Sequence, residues 1–262
     1  MRRFSKLWKM YKERGLRYLI QRVMTFTIRK IDMKTGFIAL FSLPYILYKN
    51  ASLKTKEAVI RSLFNDKSFL NILFYPSQIE YEINILLNIL RPISPNNILE
   101  IGTARGGSLL LWTRIASEDA TIISIDLPGG SFGGGYPLLR KLVYSNFGKS
   151  EQKIILIRGN SHDSKTLEKV KCILQGSKLD FLFIDGDHSY EGVKKDFEMY
   201  SPLVRKGGII AFHDIVPHDR VHDPYGVVGV HRFWNEIKHS YKYLEIVKDW
   251  GQGWAGIGVL YV

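Results

Sequence analysis

Five apolar runs, each followed by a segment of helical pattern, recur from residue 97 onward. The runs are NILEIGT (97–103), TIISIDL (121–127), KIILIRG (153–159), LDFLFIDG (179–186) and GGIIAFHD (207–214). Short links between such repeats require right-handed crossovers, which produce a parallel sheet covered by helices on both faces. The sequence therefore predicts an α/β fold with a doubly wound, mostly parallel sheet.

Two further strand-like runs close the chain, YLEIVKD (243–249) and GIGVLYV (256–262). The link between them is too short for a crossover, so they are predicted to form an antiparallel hairpin. The complete sheet is therefore expected to have seven strands.

The positive charge of the chain is concentrated at its N-terminus. The net charge is +12, and residues 1–34 hold eleven Lys/Arg against Glu13 and Asp32, which gives +9. The remaining residues carry only 12 − 9 = +3. The body is therefore not a basic surface built for nucleic acid.

The N-terminal residues form a region of their own in the sequence. Residues 4–20 have the pattern of a basic amphipathic helix interrupted by Gly15. The apolar stretch 37–48 that follows is too short to cross a bilayer, which takes ~20 residues. We predict a helical arm (1–50), a helical lead-in and cap (51–96) and a main domain (97–262). The arm packs on the body or on a second subunit, lies on an anionic membrane surface, or contacts nucleic acid.

Cys172 is the single cysteine, so no intrachain disulfide is available. It lies in an amphipathic segment, where we expect a packed thiol. A reducing compartment is compatible with this cysteine usage. We expect a cytoplasmic protein, with the arm as the candidate for peripheral contact at the inner membrane face.

Polar residues follow the predicted strands at their carboxyl ends. In a doubly wound sheet these ends meet at one edge, where ligands bind at the point at which strand order reverses. The sequence therefore predicts one site built from several separate segments. The residues at these ends are Glu100 to Thr103, Asp126, Gly159 to Ser161, Asp185 and Asp214.

The turn after the first strand has the features of a nucleoside site. Gly102 permits a tight turn, and Gly106 and Gly107 allow a ligand to approach a helix N-terminus. The spacing is not G-x-G-x-x-G, because Ala104 occupies the middle position, and no GK[ST] follows. Asp126 ends the next strand, where a carboxylate can accept both ribose hydroxyls.

Five motifs, in this order and each at a strand end, resemble the class I S-adenosylmethionine-dependent methyltransferases. The resemblance is to the branch of small-molecule and sugar O-methyltransferases and cephalosporin-hydroxylase-like proteins, and it covers about residues 78–262. The motifs are EIGTARGG, SIDLPGGSFGGGY, GNSHD, FIDGDHSYEGVKKDFEMYSPLVRKGGIIAFHD and GIGVL.

The resemblance implies S-adenosylmethionine as cofactor and assigns roles to individual residues. Glu100 and Gly102 would flank its methionine part, and Asp126 would hold its ribose. Ser161 and His162 would border the adenine, and Asp185 would lie beside the sulfonium. The complete set of candidate cofactor-binding residues is Glu100, Gly102, Thr103, Gly106, Asp126, Ser161, His162 and Asp185.

Two ways of activating an acceptor hydroxyl fit the residues at the fourth and fifth strand ends. Mg²⁺ or another divalent metal could be held by Asp185 and Asp214, with His213 or Asp187 as third ligand. The related sugar methyltransferases carry an acid pair where this chain has His213 and Asp214. Alternatively, His188 or Asp187 acts as general base without a metal.

The expected function is S-adenosylmethionine-dependent O-methylation of a small polyhydroxylated acceptor such as a sugar, glycan or glycolipid. The glycine-rich loop 129–135 is predicted to be a flap over the site. The alternatives are a hydroxylase-like or other nucleotide-dependent enzyme on the same fold, or a non-catalytic cofactor-binding module. A homo-oligomer is compatible with all three.

Overall fold

The structure, a computed structural model, describes residues 2–53, 55–65, 68–129, 135–149 and 151–262. For residues 2–11, 13–17, 19 and 49–52 this description covers the backbone only. The predicted flap falls mostly outside the described residues. Most of the side chains that predicted an amphipathic helix over residues 4–20 are also outside this set.

The main domain consists of one seven-stranded sheet with helices on both faces. The strand order is β3-β2-β1-β4-β5-β7-β6. The strands are β1 (Asn97–Ile101), β2 (Thr121–Asp126), β3 (Lys153–Arg158), β4 (Leu179–Ile184), β5 (Val204–His213), β6 (Lys242–Ile246) and β7 (Ile257–Tyr261). The helices are α1 (Arg2–Thr35), α2 (Phe37–Phe41), α3 (Leu43–Ser52), α4 (Lys56–Phe64), α5 (Phe69–Phe74), α6 (Glu80–Leu90), α7 (Gly107–Ile115), α8 (Leu138–Tyr144), α9 (Ser164–Leu174), α10 (Tyr190–Tyr200) and α11 (Val230–Ile237).

The sheet confirms the predicted fold class. Strands β1 to β5 pair in parallel, whereas β7 pairs antiparallel with both β5 and β6. From β1 the chain proceeds outward to β2 and β3, and then returns to place β4 on the other side of β1. The order of strands therefore reverses between β1 and β4, and a crevice opens at their carboxyl ends.

The side chains of each strand alternate between the two faces of the sheet, and this divides the core into two layers. In β1, Ile98 belongs to the cluster that also contains Trp112 of α7, whereas Leu99 and Ile101 belong to the cluster on the opposite face. Successive side chains of a strand point to opposite faces, so each strand contributes to both layers. This is why the central strands consist of nearly continuous apolar runs.

The N-terminal region is helical and part of it packs on the main domain. Helix α1 continues through Gly15 without the predicted interruption. At its end Gly36 has a φ of +73°, and a Cβ there would lie 2.9 Å from Cβ of Leu139 in α8. Ala39 of α2 and Ile46 of α3 are buried in the core. Among the described residues, no helix combines the length and the apolarity needed to cross a membrane.

The prediction of a packed thiol is wrong. Cys172 lies on α9 and is exposed. The buried side chains of this helix are Thr166, Val170 and Leu174, which recur at four-residue steps. Cys172 falls between two of these positions and therefore faces outward.

Candidate active site

A cavity of about 1370 Å³ opens at the carboxyl ends of β1 to β5. It lies at the reversal of strand order, as predicted for a ligand site. Of the predicted site residues, the cavity wall contains Gly102, Asp126, Ser161, His162, Asp185, Asp187, His188, His213 and Asp214. Segments far apart in the sequence therefore meet at one place.

The turn after β1 brings the backbone of two strands into contact. Gly102 has a φ of +102°, and a Cβ added there would lie 2.0 Å from the carbonyl oxygen of Asp185. Any side chain at this position would displace the end of β4. Ala104, at the middle position of this turn, also has a positive φ of 43°. Its N–H donates to Oδ2 of Asp126 at 2.7 Å.

Asp126 links the first turn to the segment before α8. Its Oδ2 accepts from Ala104, and its Oδ1 accepts from the N–H of Gly135 at 2.8 Å. Burial raises its pKa to about 6, although these backbone hydrogen bonds act in the opposite direction. The carboxylate borders the cavity, so it can accept a ligand hydroxyl through its remaining lone pairs.

Glu100 does not reach the cavity. Its Oε1 accepts from Ser108 at 2.5 Å and from the indole N–H of Trp112 at 2.8 Å, while its Oε2 accepts from Ser124 at 2.6 Å. Glu100 lies two residues after Ile98 and shares its face, so it points at α7. Burial raises its pKa to about 7. The predicted contact with the cofactor amino group is not supported by this geometry.

Two other predicted cofactor residues also lie behind the cavity wall. Oγ1 of Thr103 is buried and lies 2.6 Å from Oγ of Ser124. Gly106 precedes the first turn of α7, and its N–H donates to the carbonyl of Thr103. Both residues shape the turn rather than line the cavity.

Ser161 and His162 follow β3 and are held by α10. The hydroxyl of Tyr200 donates to the carbonyl of Ser161 at 2.7 Å. Nε2 of His162 lies 3.3 Å from Oδ1 of Asp196, which is buried. The hydrogen bond to Asp196 raises the pKa of His162, although burial opposes it. These contacts fix the segment on the side of the cavity opposite the β4 and β5 ends.

Two carboxylates and a histidine converge at the ends of β4 and β5. Nδ1 of His188 lies 2.5 Å from Oδ2 of Asp214, and its Nε2 lies 3.9 Å from Oδ1 of Asp185. One potential ligand atom from each residue lies within 4.8 Å of the others, a spacing that a metal ion could bridge. The sequence analysis named Asp185 and Asp214 as ligands but placed His213 or Asp187 third, whereas the geometry here favours His188.

Two further histidines surround this group. Nδ1 of His213 lies 3.1 Å from Oδ1 of Asp185 and 3.3 Å from Oδ1 of Asp214, and Nε2 of His218 lies 3.0 Å from Oδ1 of Asp214. Neither ring nitrogen of His213 or His218 makes a hydrogen bond, and neither does the buried Oδ1 of Asp185. Buried polar atoms are normally satisfied, so this region can accommodate an additional polar group.

The electrostatics of this group are dominated by the mutual influence of acids and imidazoles. Burial lowers the pKa of His213, but the charges of Asp214 and Asp185 outweigh it and place that pKa well above the ordinary value. Burial also lowers the pKa of His188, but the hydrogen bond to Asp214 and the charges of Asp214 and Asp185 outweigh it and raise that pKa. Burial raises the pKa of Asp214, but His213 and His188 hold it well below the ordinary value. Asp214 is therefore an anion in this site.

The carboxylate of Asp187 is hydrogen-bonded to Ser189, at the start of α10. Its Oδ1 accepts from the N–H of Ser189 at 3.0 Å and from the Ser189 hydroxyl at 2.7 Å. The Ser189 hydroxyl in turn accepts from the N–H of Gly192 in the first turn of α10. Asp187 still borders the cavity, but one of its oxygens is engaged by Ser189, the N-cap residue of this helix.

Several cavity residues were missed by the sequence analysis. Nε2 of Gln78, in the segment before α6, donates to Oδ2 of Asp185 at 2.7 Å. Trp254 stacks on His222 with ring centroids 5.5 Å apart, and both border the cavity. Gln78 and Trp254 carry no motif, because neither follows a strand of the parallel part of the sheet. The cavity wall also includes residues of α1, which the sequence analysis had assigned to a separate arm.

The strand order and the acids at the carboxyl ends define a class of protein. They correspond to the fold of class I S-adenosylmethionine-dependent methyltransferases, with an antiparallel hairpin at the end of the sheet. Residues 99–215 match the family model described as a methyltransferase domain. The matched segment runs from within β1 to just past the end of β5.

Curated relatives match about half of the chain. An uncharacterized protein of Acanthamoeba polyphaga mimivirus is 34% identical over 133 residues, which cover 50% of this chain and 58% of that protein. A caffeoyl-CoA O-methyltransferase of Populus kitakamiensis is 31% identical over 124 residues, which cover 47% of this chain and 48% of that enzyme. The chain thus spans about half the length of these relatives.

Solved structures share the fold over most of the chain. An O-methyltransferase from Bacillus cereus in complex with SAH has a TM-score of 0.51 at 20% identity, covering 84% of this chain and 90% of that one. A Staphylococcus aureus protein assigned as a caffeoyl-CoA O-methyltransferase has a TM-score of 0.57 at 21% identity, covering 79% and 99%. At this identity the likeness concerns the fold.

Proposed function

We propose that this protein is an S-adenosylmethionine-dependent O-methyltransferase acting on a small polyhydroxylated acceptor such as a sugar or glycan. The observation that carries the proposal is the convergence of Asp126, Asp185 and Asp214, from three strands, on the wall of one cavity. S-adenosylmethionine supplies a methyl group already activated by its sulfonium. The protein therefore has to bind both substrates, align the acceptor oxygen and accept its proton.

Cofactor binding is assigned to the part of the cavity between β1, β2 and β3. Gly102 and Ala104 expose backbone there, and Asp126 offers a carboxylate. Ser161 and His162 border the same space. Solved structures of this fold include a complex with SAH, which supports a cofactor of this type. Glu100, Thr103 and Gly106 contribute by holding the turn.

Acceptor activation is assigned to the ends of β4 and β5. With Nδ1 of His188 donating to Asp214, the neutral imidazole carries its lone pair on Nε2, which faces Asp185. His188 is then oriented as a proton acceptor by a buried carboxylate. Asp187 is less suited to the same role because its Oδ1 already accepts two hydrogen bonds from Ser189, the residue that caps α10.

Metal assistance is the second way in which the same residues could activate the acceptor. The atoms that fit a divalent cation are one carboxylate oxygen each from Asp185 and Asp214 and a ring nitrogen of His188. A bound divalent metal lowers the pKa of a coordinated hydroxyl. A mixed nitrogen and oxygen set favours Mn²⁺ or Zn²⁺ over Mg²⁺, which prefers oxygen ligands.

Calorimetry on the full chain tests both parts of this proposal. Titration with S-adenosylhomocysteine is expected to show one-to-one binding, and an absence of binding would contradict the proposed function. Titration with Mn²⁺, followed independently by thermal unfolding, is expected to show binding that Asp214→Asn abolishes. Equal Mn²⁺ binding by the wild type and this variant would rule out a metal site at Asp214, and His188 would then be the proposed base.

The acceptor is tested by transfer of a labelled methyl group. A panel of sugars, sugar derivatives and catechols is incubated with the protein and labelled S-adenosylmethionine, and label in the products is measured. The proposal expects transfer to polyhydroxylated compounds. Transfer to none of them, together with transfer to an amine or a thiol, would contradict O-methylation.

A further inference from the structure

The cavity has two walls of opposite character. The wall formed by the strand ends carries the acids and histidines described above. The opposite wall is formed by α1, whose cavity residues are Arg22, Val23, Thr25, Phe26, Arg29, Lys30, Met33 and Lys34. This wall contains four cations and no acid. The helix assigned from sequence to a separate arm is therefore part of the same cavity.

Three of the four cations on α1, which are Arg22, Lys30 and Lys34, lie on one stripe of the helix. Arg22, Phe26, Lys30 and Lys34 follow one another at four-residue steps, and all four border the cavity. At a rise of ~1.5 Å per residue, Lys30 and Lys34 are about 6 Å apart along the axis. Two ammonium groups at this separation can converge on one dianionic group, because each lies on a flexible stem.

Helix α1 is held in place over the cavity by buried contacts. Oδ2 of Asp32 accepts from Nε and Nη2 of Arg140, at 2.9 and 2.5 Å, and both side chains are fully buried. Arg29 donates to the carbonyls of Asn71 and Ile72. Asp32 and Arg29 lie between and beside the stripe, so the orientation of the stripe is determined by the fold.

Lys30 and Lys34 have no acidic partner among the described residues. The single acid in their stretch of α1 is Asp32, and it is engaged by Arg140. The acids on the facing wall also have partners of their own: Asp126 accepts two backbone N–H groups, Asp185 accepts from Gln78 and Asp214 contacts His188. The α1 wall therefore retains uncompensated positive charge, which attracts anions into the cavity.

We infer that Lys30 and Lys34 bind a phosphate group of the acceptor, so that the acceptor class is a phosphate-bearing polyhydroxylated molecule. This inference rests on the proposed methyltransferase function. It places the phosphate on the α1 wall while the hydroxyl to be methylated faces the β4 and β5 ends. Phe26, which is 64% exposed, and Met33 add apolar contacts beside the cations. The phosphate belongs either to a soluble sugar phosphate or to a lipid phosphate monoester, and both present the same dianionic group.

Binding experiments on the full chain test the inference without a known acceptor. The probes are glucose 1-phosphate with glucose as control, and vesicles of phosphatidylcholine containing one-fifth phosphatidic acid with pure phosphatidylcholine as control. Lys30→Ala/Lys34→Ala is compared with Lys195→Ala/Lys206→Ala, which removes the same charge from exposed positions outside the cavity. All three proteins are also titrated with S-adenosylhomocysteine.

The expected result is a loss of phosphate binding that is specific to the α1 variant. Removing two lysine contacts should weaken binding of one phosphate probe about tenfold, whereas the control pair should have little effect. If Lys30→Ala/Lys34→Ala loses binding of glucose 1-phosphate only, the acceptor is soluble. If it loses binding of the phosphatidic acid vesicles only, the acceptor is a lipid. Equal weakening in both variants, or no binding of either probe by the wild type, would overturn the inference.

The cofactor titration separates this inference from the function on which it rests. Affinity for S-adenosylhomocysteine should be the same in all three proteins, because the α1 stripe faces the acceptor. A fall in cofactor affinity restricted to the α1 variant would assign these lysines to the cofactor and overturn the inference. If the wild type binds phosphate through these lysines but does not bind S-adenosylhomocysteine, the methyltransferase function fails and the anion site remains.

Discussion

Glu100 shows how the face of a strand decides what an acid can do. The sequence analysis grouped it with the strand-end acids, because it precedes the glycine turn. In the structure it lies on the face of β1 that packs against α7 and is satisfied by Ser108, Trp112 and Ser124. Its position two residues after Ile98 could have predicted this orientation, whereas the hydroxyl and indole partners could not be read from the sequence.

The buried Glu100 is expected to make stability fall as pH rises. Its pKa of about 7 in the folded protein lies above the ordinary glutamate value of 4.5. Between these values the folded state retains a proton that the unfolded state has lost, so the unfolding free energy decreases with rising pH. The contribution is about 1 kcal/mol per pH unit. Denaturant unfolding of wild type and Glu100→Gln between pH 4.5 and 7 measures it.

The control for this measurement is the difference between the two proteins. The variant cannot ionise at this position, so the wild type should lose stability relative to Glu100→Gln as pH rises. A difference that stays constant across this range, or that changes in the other direction, would contradict a buried protonated Glu100.

Asp126 is the residue-scale test of cofactor binding. Asp126→Asn keeps the shape but removes the charge, and binding of S-adenosylhomocysteine should weaken about tenfold or more, because hydrogen bonds to charged groups contribute ~1.5–3 kcal/mol. Asp119→Asn, on the exposed loop before β2, is the matched control. Calorimetric affinities that are equal in Asp126→Asn and wild type would remove Asp126 from the ligand site.

At the scale of elements, the strands and their carboxyl ends followed from the sequence and the packing of α1 did not. Alternating apolar runs and helical segments predict a parallel sheet because few other arrangements satisfy short links. The strand-end residues Asp126, Asp185 and Asp214 therefore came to one cavity as expected. The contact of α1 depends on Asp32 meeting Arg140, 108 positions away, and no local pattern encodes such a pairing.

The Asp32–Arg140 pair is expected to carry much of the docking of α1. Arg140 also donates to the carbonyls of Leu73 and Arg105 and to Tyr144. Asp32→Asn leaves this buried guanidinium without a counter-charge, and breaking such pairs costs ~3–5 kcal/mol. Urea unfolding measures the loss.

A surface ion pair provides the comparison for this variant. Glu168 pairs with Lys171 at 2.8 Å and both are largely exposed. Glu168→Gln should change the unfolding free energy by less than about 1 kcal/mol. Similar small effects in Asp32→Asn and Glu168→Gln would show that the ion pair with Arg140 does not carry the docking of α1.

At the scale of the whole molecule, residues 1–50 are only partly a separate arm. Ala39 and Ile46 are buried in the core that contains α7, and α1 closes one side of the cavity. Deleting residues 1–48 should therefore lower the unfolding free energy by at least ~3 kcal/mol, since it removes Asp32 and exposes this apolar surface. Thermal unfolding and soluble yield report the effect.

A shorter deletion of residues 1–19 keeps these contacts and serves as control. It removes much of the N-terminal charge but leaves Asp32, Ala39 and Ile46 in place. The shorter deletion should be clearly more stable than the longer one. Equal stability of the two deletions would mean that residues 20–48 contribute nothing to the folded body.

The contact between Gly102 and Asp185 limits how this site can diversify. The turn at Gly102 and the carbonyl group of Asp185 meet backbone to backbone, with no room for even a methyl group between them. The space between them cannot be enlarged without moving the backbone of β1 or β4, so this half of the pocket keeps a fixed shape. Adaptation to bulkier acceptors is left to the other parts of the cavity wall, such as α1 and the segment carrying His218 and His222.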